Sequence, residues 1–249
     1  MGRWLEVKYR IALAGNPNVG KSTLFNELTG LKQHTGNWPG KTVMHAEGEF
    51  SFKGKDYTII DLPGMYSLFA NSVDEEVARD YIVFEHPDLT IVLVDATSIE
   101  RNLNLALQVL EMTNNVIICI NLNDEAKKKG IFIDDRVLMK KLGVPVIKIS
   151  ARNKEGIDQL LDTIDRMIDG KITTAPYRMT YSPEIEEKIA QLIPSIEKIF
   201  DLTIPARWLA LRLLDGDESL FQAYFDKKEK SQKGEWPHDI AYETNSQQL

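Results

Sequence analysis

The octet GNPNVGKS at residues 15–22 constrains this chain more than any other stretch. It fits the pattern G-x-x-x-x-G-K-[S/T] and falls between an apolar run, RIALAG, and a helical one, KSTLFNELTG. A strand therefore feeds a tight turn that opens a helix. Such a turn holds phosphates. Backbone N–H groups along Gly15, Asn16, Pro17, Asn18, Val19 and Gly20, and at the helix start with Lys21, Ser22 and Thr23, surround the anion. Glycine avoids a Cβ clash, Lys21 neutralises β and γ charge, and Ser22 ligates Mg²⁺. The octet predicts a nucleoside-triphosphate site with Mg²⁺ as cofactor.

The surrounding pattern supplies a matching scaffold. From Tyr9 to about Gly170, apolar runs alternate with helical patterns, the signature of a mostly parallel sheet flanked by helices. Six strands are predicted: RIALAG, HAEGEFSF, YTIIDL, LTIVLVDA, VIICINL and VPVIKISA. HAEGEFSF alternates in polarity and joins YTIIDL through KGKD, which predicts an antiparallel hairpin at the sheet edge. After Gly170 strand alternation stops. KITTAPYRMTYS reads as a linker, and three helical stretches follow, opened by Ser182-Pro183, by Pro205 and by ESLFQ. The fold expected is α/β, a Ras-like P-loop GTPase with a six-stranded sheet over residues 1–170, then a small all-helical subdomain over residues 171–249.

A second phosphate-facing element is DLPGM, with Asp61, Leu62, Pro63, Gly64 and Met65 forming a switch II segment. Asp61 ends a strand, placed to hold Mg²⁺ through water, and the Gly64 N–H is placed to bond a γ-phosphate. Between the two motifs, LKQHTGNWPGKTV lacks either period and reads as a mobile loop, a switch I of Gly36, Asn37, Trp38, Pro39, Gly40, Lys41 and Thr42. Thr42 is the hydroxyl expected to close over Mg²⁺ and γ-phosphate, ahead of Thr35. His34 and His45 lack metal-ligand spacing and read as surface or strand histidines.

The base is read by NLND and by Ser150, Ala151 and Arg152. In an N-K-x-D motif the aspartate, Asp124 here, accepts from guanine N1–H and the exocyclic amine, while a backbone N–H of the second motif meets the guanine oxygen. Adenine reverses that donor pattern and would leave a buried Asp124 unpaired, so GTP and GDP are the expected ligands. Asn121 opens the motif. Leu122 stands where the lysine would lie along the base, and Arg152 replaces the lysine of S-A-K, which predicts weaker binding and faster exchange.

Composition narrows the partners. The formal charge of -7 argues against a nucleic-acid surface, since phosphate binding is driven by clustered Lys and Arg. The run KKK at Lys127 reads as a solvated helix end. The single cysteine, Cys119, sits in VIICI and reads as a reduced core thiol. No apolar segment reaches membrane-spanning length, so a soluble cytoplasmic chain is expected.

Taken together, GNPNVGKSTLFNELTG, GNWPGKTV, DLPGMYSL, DEEVARDY and the lysine-less N-x-x-D resemble one group, the N-terminal G domain of the ferrous-iron transport protein B family, FeoB. GNWPG-x-TV is the most specific of these, and the likeness covers nearly the whole chain, weakest beyond Ser182. The resemblance implies a Mg²⁺-dependent, K⁺-activated GTPase at the cytoplasmic face of a bacterial inner membrane. Its partner would be a membrane-spanning Fe²⁺ transport domain of the same polypeptide, with a GDI-like helical domain that strengthens GDP binding. Homo-oligomers are compatible with it. The second Asn of G-N-P-N, Asn18 here, would help hold K⁺ together with carbonyls of switch I, and a cation there takes the place of an arginine finger. The catalytic set is then Asn18, Lys21, Thr42 and Gly64, with Met65 where many GTPases carry a water-orienting glutamine. Two other readings share the P-loop: a soluble ribosome- or tRNA-associated G protein, disfavoured by the acidic balance, and a non-hydrolysing GTP sensor.

Overall fold

The computed structural model describes residues 8–31, 33–38, 41–68, 72–200 and 204–232. A seven-stranded sheet, in the order β2-β3-β4-β1-β5-β6-β7, forms its centre. The strands are β1 (Lys8–Gly15), β2 (Gln33–Asn37), β3 (Met44–Phe52), β4 (Lys55–Asp61), β5 (Leu89–Asp95), β6 (Val116–Asn121) and β7 (Val146–Lys148). β1 pairs in parallel with β4 on one side and β5 on the other, and β6 and β7 continue in parallel.

The predicted count of six strands is corrected to seven. β2 lies inside the stretch expected to be an irregular loop and runs antiparallel to β3, Gln33 opposite Gly48 and Asn37 opposite Met44. Its sequence QHTGN carries no apolar alternation because an outermost strand need bury neither face. The β3–β4 hairpin forms as predicted but sits one place in from the edge.

The helices are α1 (Lys21–Thr29), α2 (Val73–Phe84), α3 (Ile99–Met112), α4 (Asn123–Lys128), α5 (Asp135–Leu142), α6 (Ile157–Ile168), α7 (Pro183–Ile199), α8 (Ala206–Asp215) and α9 (Glu218–Gln232). Their ends follow local chemistry. Ser72 accepts from the Glu75 N–H at the start of α2, and Gly143 and Gly216 end α5 and α8 in the left-handed region.

Alternation along β1 divides the interior in two. Ile11 and Leu13 face one side, where Leu24 and Phe25 of α1 and Leu160 and Ile164 of α6 cover them. Ala12 and Ala14 face the other, under Ala78 and Ile82 of α2 and Leu105 and Val109 of α3. That second cluster continues into Ile189 and Ile196 of α7, Trp208 and Leu209 of α8, and Leu220 of α9. The helical region therefore shares its apolar core with the α2–α3 layer. Cys119 is buried in β6, where burial pushes its thiol pKa up, as a structural thiol requires. Among the described residues no helix is long and apolar enough to cross a membrane.

Polar contacts fix the segment that joins the two parts. The Ala175 and Tyr177 N–H groups donate to the Gly143 and Leu142 carbonyls, each at 2.9 Å. A Cβ on Gly143 would lie 1.8 Å from the Ala175 carbonyl oxygen, so only glycine lets the segment approach. At the next contact, Glu111 of α3 accepts from the Met179 N–H at 2.7 Å.

The strongest polar tie runs from α2 to α9. Arg79 is 1% exposed, and its Nη1 donates to both Asp217 oxygens, at 3.3 and 3.1 Å, and to Ser219 Oγ at 3.1 Å. Its Nε donates to Asp80 at 2.9 Å. Asp217 also accepts from the Leu220 N–H at 3.2 Å and so caps α9. In return Lys227 of α9 donates to the Phe84 carbonyl, at the end of α2, at 2.8 Å. Removing one partner of a buried pair strands the other. Arg79→Ala is expected to lower unfolding free energy by roughly 3 kcal/mol in urea titration. The Arg79→Ala/Asp217→Ala double variant should cost clearly less than the sum of the singles; additivity would show that the contact carries no coupling.

Candidate nucleotide site

Parallel pairing of β1 with β4 places Leu13 beside Asp61, and the ladder continues as the Leu62 N–H donates to the Leu13 carbonyl at 3.0 Å. The P-loop leaving β1 and the D-x-x-G segment leaving β4 therefore lie side by side. Gly64 packs on Pro17, where an added Cβ would meet the Pro17 Cα at 3.2 Å, and the Met65 N–H donates to the Gly15 carbonyl at 3.3 Å. Lys21 Nζ sits 2.5 Å from Asp61 Oδ1 and 2.8 Å from the Leu62 carbonyl. Burial raises the Asp61 pKa, and the Lys21 charge opposes that rise.

Asn18 occupies the left-handed region at φ 64, a conformation Asn tolerates, and is exposed with Ser22 and Thr23. Asn16 is buried, and neither end of its amide finds a hydrogen-bond partner among the described residues. An orphaned buried polar group costs about 1–3 kcal/mol, which a ligand or water at the loop would relieve.

The NLND and Ser150–Arg152 segments converge on the same edge. Asn121, at the end of β6, donates from Nδ2 to the Val19 carbonyl at 2.9 Å and accepts the Ala151 N–H at 3.0 Å. One buried amide thus ties NLND to the P-loop and to the Ser150–Arg152 turn. Gly20, at φ +91, has to be glycine beside it, because a Cβ would lie 2.4 Å from Asn121 Nδ2. Leu122 follows at φ 60, a left-handed conformation costing a leucine roughly 1–2 kcal/mol. That strain turns the chain into α4.

Two details differ from the sequence reading. Asp124 is half-buried rather than buried, and its oxygens accept from Ser150 Oγ at 2.9 Å and Asn153 Nδ2 at 3.1 Å. The Ser150 bond holds its carboxyl below the usual range. Of the Ser150–Arg152 backbone N–H groups, one of which was expected to face a guanine oxygen, that of Ala151 is taken up by Asn121, since a buried N–H pairs with the nearest acceptor. Arg152 is exposed.

In switch I, Gly36 and Asn37 belong to β2, and Pro39 and Gly40 lie outside the described residues. Trp38 packs against Tyr81 of α2 and His45 of β3, with ring centroids 5.3 and 5.1 Å away. Lys41 pairs with Glu76 of α2 at 2.7 Å. Thr42 is exposed, and its hydroxyl makes no hydrogen bond among the described residues. His34 and His45 lie in strands, as expected. In switch II, Met65 is 2% exposed and packs in the α2–α3 core cluster. Leu68 is anchored by its N–H to Gln108 Oε1 at 2.6 Å.

Sequence reasoning missed Tyr81, Glu76 and Gln108 as anchors of the switches, and missed Asn121 as a brace. The stretch DEEVARDY held a signal, since Glu76 and Arg79 fall one helical turn apart, but their partners lie 35 and 138 residues away.

These elements define the class: a P-loop GTPase domain followed by a helical region. The profile of the family "Ferrous iron transport protein B" matches residues 9–164, and that of the "FeoB cytosolic helical domain" matches residues 181–236. The Fe(2+) transporter FeoB of Methanocaldococcus jannaschii is 47% identical over 210 residues, which are 84% of this chain and 31% of that protein. The cytosolic domain of the T. maritima FeoB iron transporter, in a GDP form, superposes with TM-score 0.80 at 40% identity, covering 88% of this chain and 85% of that one. In its GMPPNP form the TM-score is 0.78 at 38% identity, covering 88% and 85%. The chain belongs to the FeoB family, and it spans about a third of the length of that archaeal relative.

The Asn121 brace gives the next test. Asn121→Ala leaves the Val19 carbonyl and the Ala151 N–H without partners, so a loss of about 3 kcal/mol is expected in urea unfolding. Guanine-nucleotide affinity, read by fluorescent GDP titration, should fall at least tenfold. Unchanged affinity would mean that the brace does not organise the loops.

Proposed function

We propose that this chain binds and hydrolyses GTP as the cytosolic regulatory part of a membrane Fe²⁺ transporter, with Mg²⁺ required and K⁺ activating. The observation that carries this reading is the meeting of the P-loop, D-x-x-G, NLND and Ser150–Arg152 segments at one sheet edge, tied by Asn121 and by the Lys21–Asp61 pair. Relatives solved with GDP and GMPPNP support guanine nucleotides as ligands.

Ser22, Thr42, Asp61 and Asn18 carry the hard oxygen donors that both cations take. Mg²⁺ suits sites where one or two protein oxygens join substrate phosphates. Ser22, Thr42 and, through water, Asp61 are the oxygens for it. Asn18, exposed beside the loop, is the oxygen for K⁺. Bound there, the cations would supply positive charge where phosphoryl transfer develops negative charge.

The chain's own groups do the rest. Lys21 would exchange Asp61 for the phosphates, which would leave the Asp61 carboxylate to hold the metal through water. Gly64, exposed beside Pro17, offers its N–H to the γ-phosphate. Met65 is buried, so its side chain neither orients water nor stabilises charge. Trp38 on Tyr81 and Lys41 on Glu76 join switch I to α2, and Arg79 joins α2 to α9, so a switch rearrangement is felt in the helical region.

Phosphate release from GTP, measured in matched K⁺ and Na⁺ salts with Mg²⁺, tests this. K⁺ should accelerate the wild type, and Asn18→Ala should abolish the K⁺ advantage while GDP binding persists. Equal wild-type rates in both salts would reject the cation role. No phosphate release in single turnover would reject hydrolysis and leave a sensor.

A further inference from the structure

The surface formed by the C-terminal end of α4 from Lys127, its following loop and α5 carries none of the residues assigned to the nucleotide above, and it is rich in cations. Residues 125–141 hold six cations against three carboxylates, in a chain whose formal charge is -7. Every other described lysine from Lys8 to Lys171 sits in an ion pair, such as Lys41 with Glu76, Lys148 with Asp135 and Lys154 with Glu27. Lys127, Lys129, Lys140 and Lys141 are exposed and make none among the described residues.

Local geometry adds an apolar point to this basic face. Gly130, at φ 73, ends α4, with its N–H on the Lys127 carbonyl at 3.1 Å and the Ile131 N–H on the Ala126 carbonyl at 2.9 Å. Ile131 and Ile133 then pack against the core, so Phe132 between them points outward and is 87% exposed. On α5, Leu138 and Leu142 face inward, which turns Arg136, Val137 and Lys140 to solvent. Helix C-termini favour the lysines that end α4 and α5. They account neither for Arg136 in the first turn of α5, where a cation is disfavoured, nor for Phe132.

We propose that this face docks on an anionic phospholipid surface, with Lys127, Lys129, Arg136 and Lys140 against headgroup phosphates and Phe132 inserted among the headgroups. Unpaired cations around an exposed aromatic side chain are the pattern that binds membrane interfaces, where ammonium and guanidinium groups meet lipid phosphate and the ring enters the acyl boundary. An acidic protein surface would use the cations but would leave a phenyl ring that is 87% exposed without an apolar partner. The matched archaeal relative is a transporter of which this region is 31%, so a membrane surface is within reach of such a domain.

Co-sedimentation of the 249-residue chain with vesicles tests the proposal. The chain should pellet with vesicles of phosphatidylcholine plus phosphatidylglycerol and stay in the supernatant with phosphatidylcholine alone. The Lys129→Gln/Arg136→Gln/Lys140→Gln variant should lower the partition coefficient about 100-fold, three cations at about fivefold each. Phe132→Ser should lower it about tenfold, the loss of one inserted ring. All three proteins should keep the same circular dichroism spectrum and the same GTP hydrolysis rate. Wild type that ignores anionic vesicles, or variants that pellet as wild type does, would overturn the proposal. So would binding to polyglutamate without binding to anionic vesicles, which would assign the face to an acidic protein.

Discussion

The site depends on one constraint, the parallel pairing of β1 between β4 and β5. It sets the loop after Gly15 beside the loop after Asp61, and it leaves Lys21 and Asp61 in contact at 2.5 Å. In the proposed function the two groups serve opposite halves of a phosphate–metal site, the cation for phosphate and the carboxylate for metal. Paired with each other, they neutralise charge that a partly buried cleft cannot leave exposed to one sign. In the function proposed above, nucleotide with Mg²⁺ would offer each its own partner, and the pair would act as an internal stand-in for the ligand.

From that edge, α2 carries position outward. Its first turn holds Glu76 against Lys41 of switch I, its middle holds Tyr81 under Trp38, and Arg79 between them reaches Asp217 at the start of α9. Because α7, α8 and α9 share the apolar cluster under α2 and α3, the helical region has no separate interior in which to absorb a shift of α2. Close packing then passes displacement on rather than damping it. The connecting segment, bonded to Leu142, Gly143 and Glu111, adds a second rigid contact on the α3–α5 side.

Much of this was legible in the sequence, for reasons that are themselves physical. The P-loop, the strand ends and the helix caps are local patterns, and Ser72, Gly143 and Gly216 mark helix ends by residue type alone. Met65, which stands where many GTPases carry a glutamine, proves to be core, as suits a thioether with no useful hydrogen bond to offer. β2 was not legible: QHTGN pairs through its backbone alone and leaves no periodic trace. Asn121 was assigned to the base but not to the brace, and Asp124 was expected buried. Both errors concern contacts across 26 to 102 residues of chain, which no local window contains. Arg79 and Asp217 were invisible for the same reason, although a charged residue on the inward side of an amphipathic helix is a hint that a partner exists.

The most direct test of the account is a structure of the chain with Mg²⁺ and a non-hydrolysable GTP analogue. The account predicts Lys21 Nζ within hydrogen-bond reach of phosphate oxygens and beyond about 4 Å from the Asp61 carboxylate, with Asp61 turned to the metal's water. A bound nucleotide with Lys21 still seated on Asp61 would contradict it.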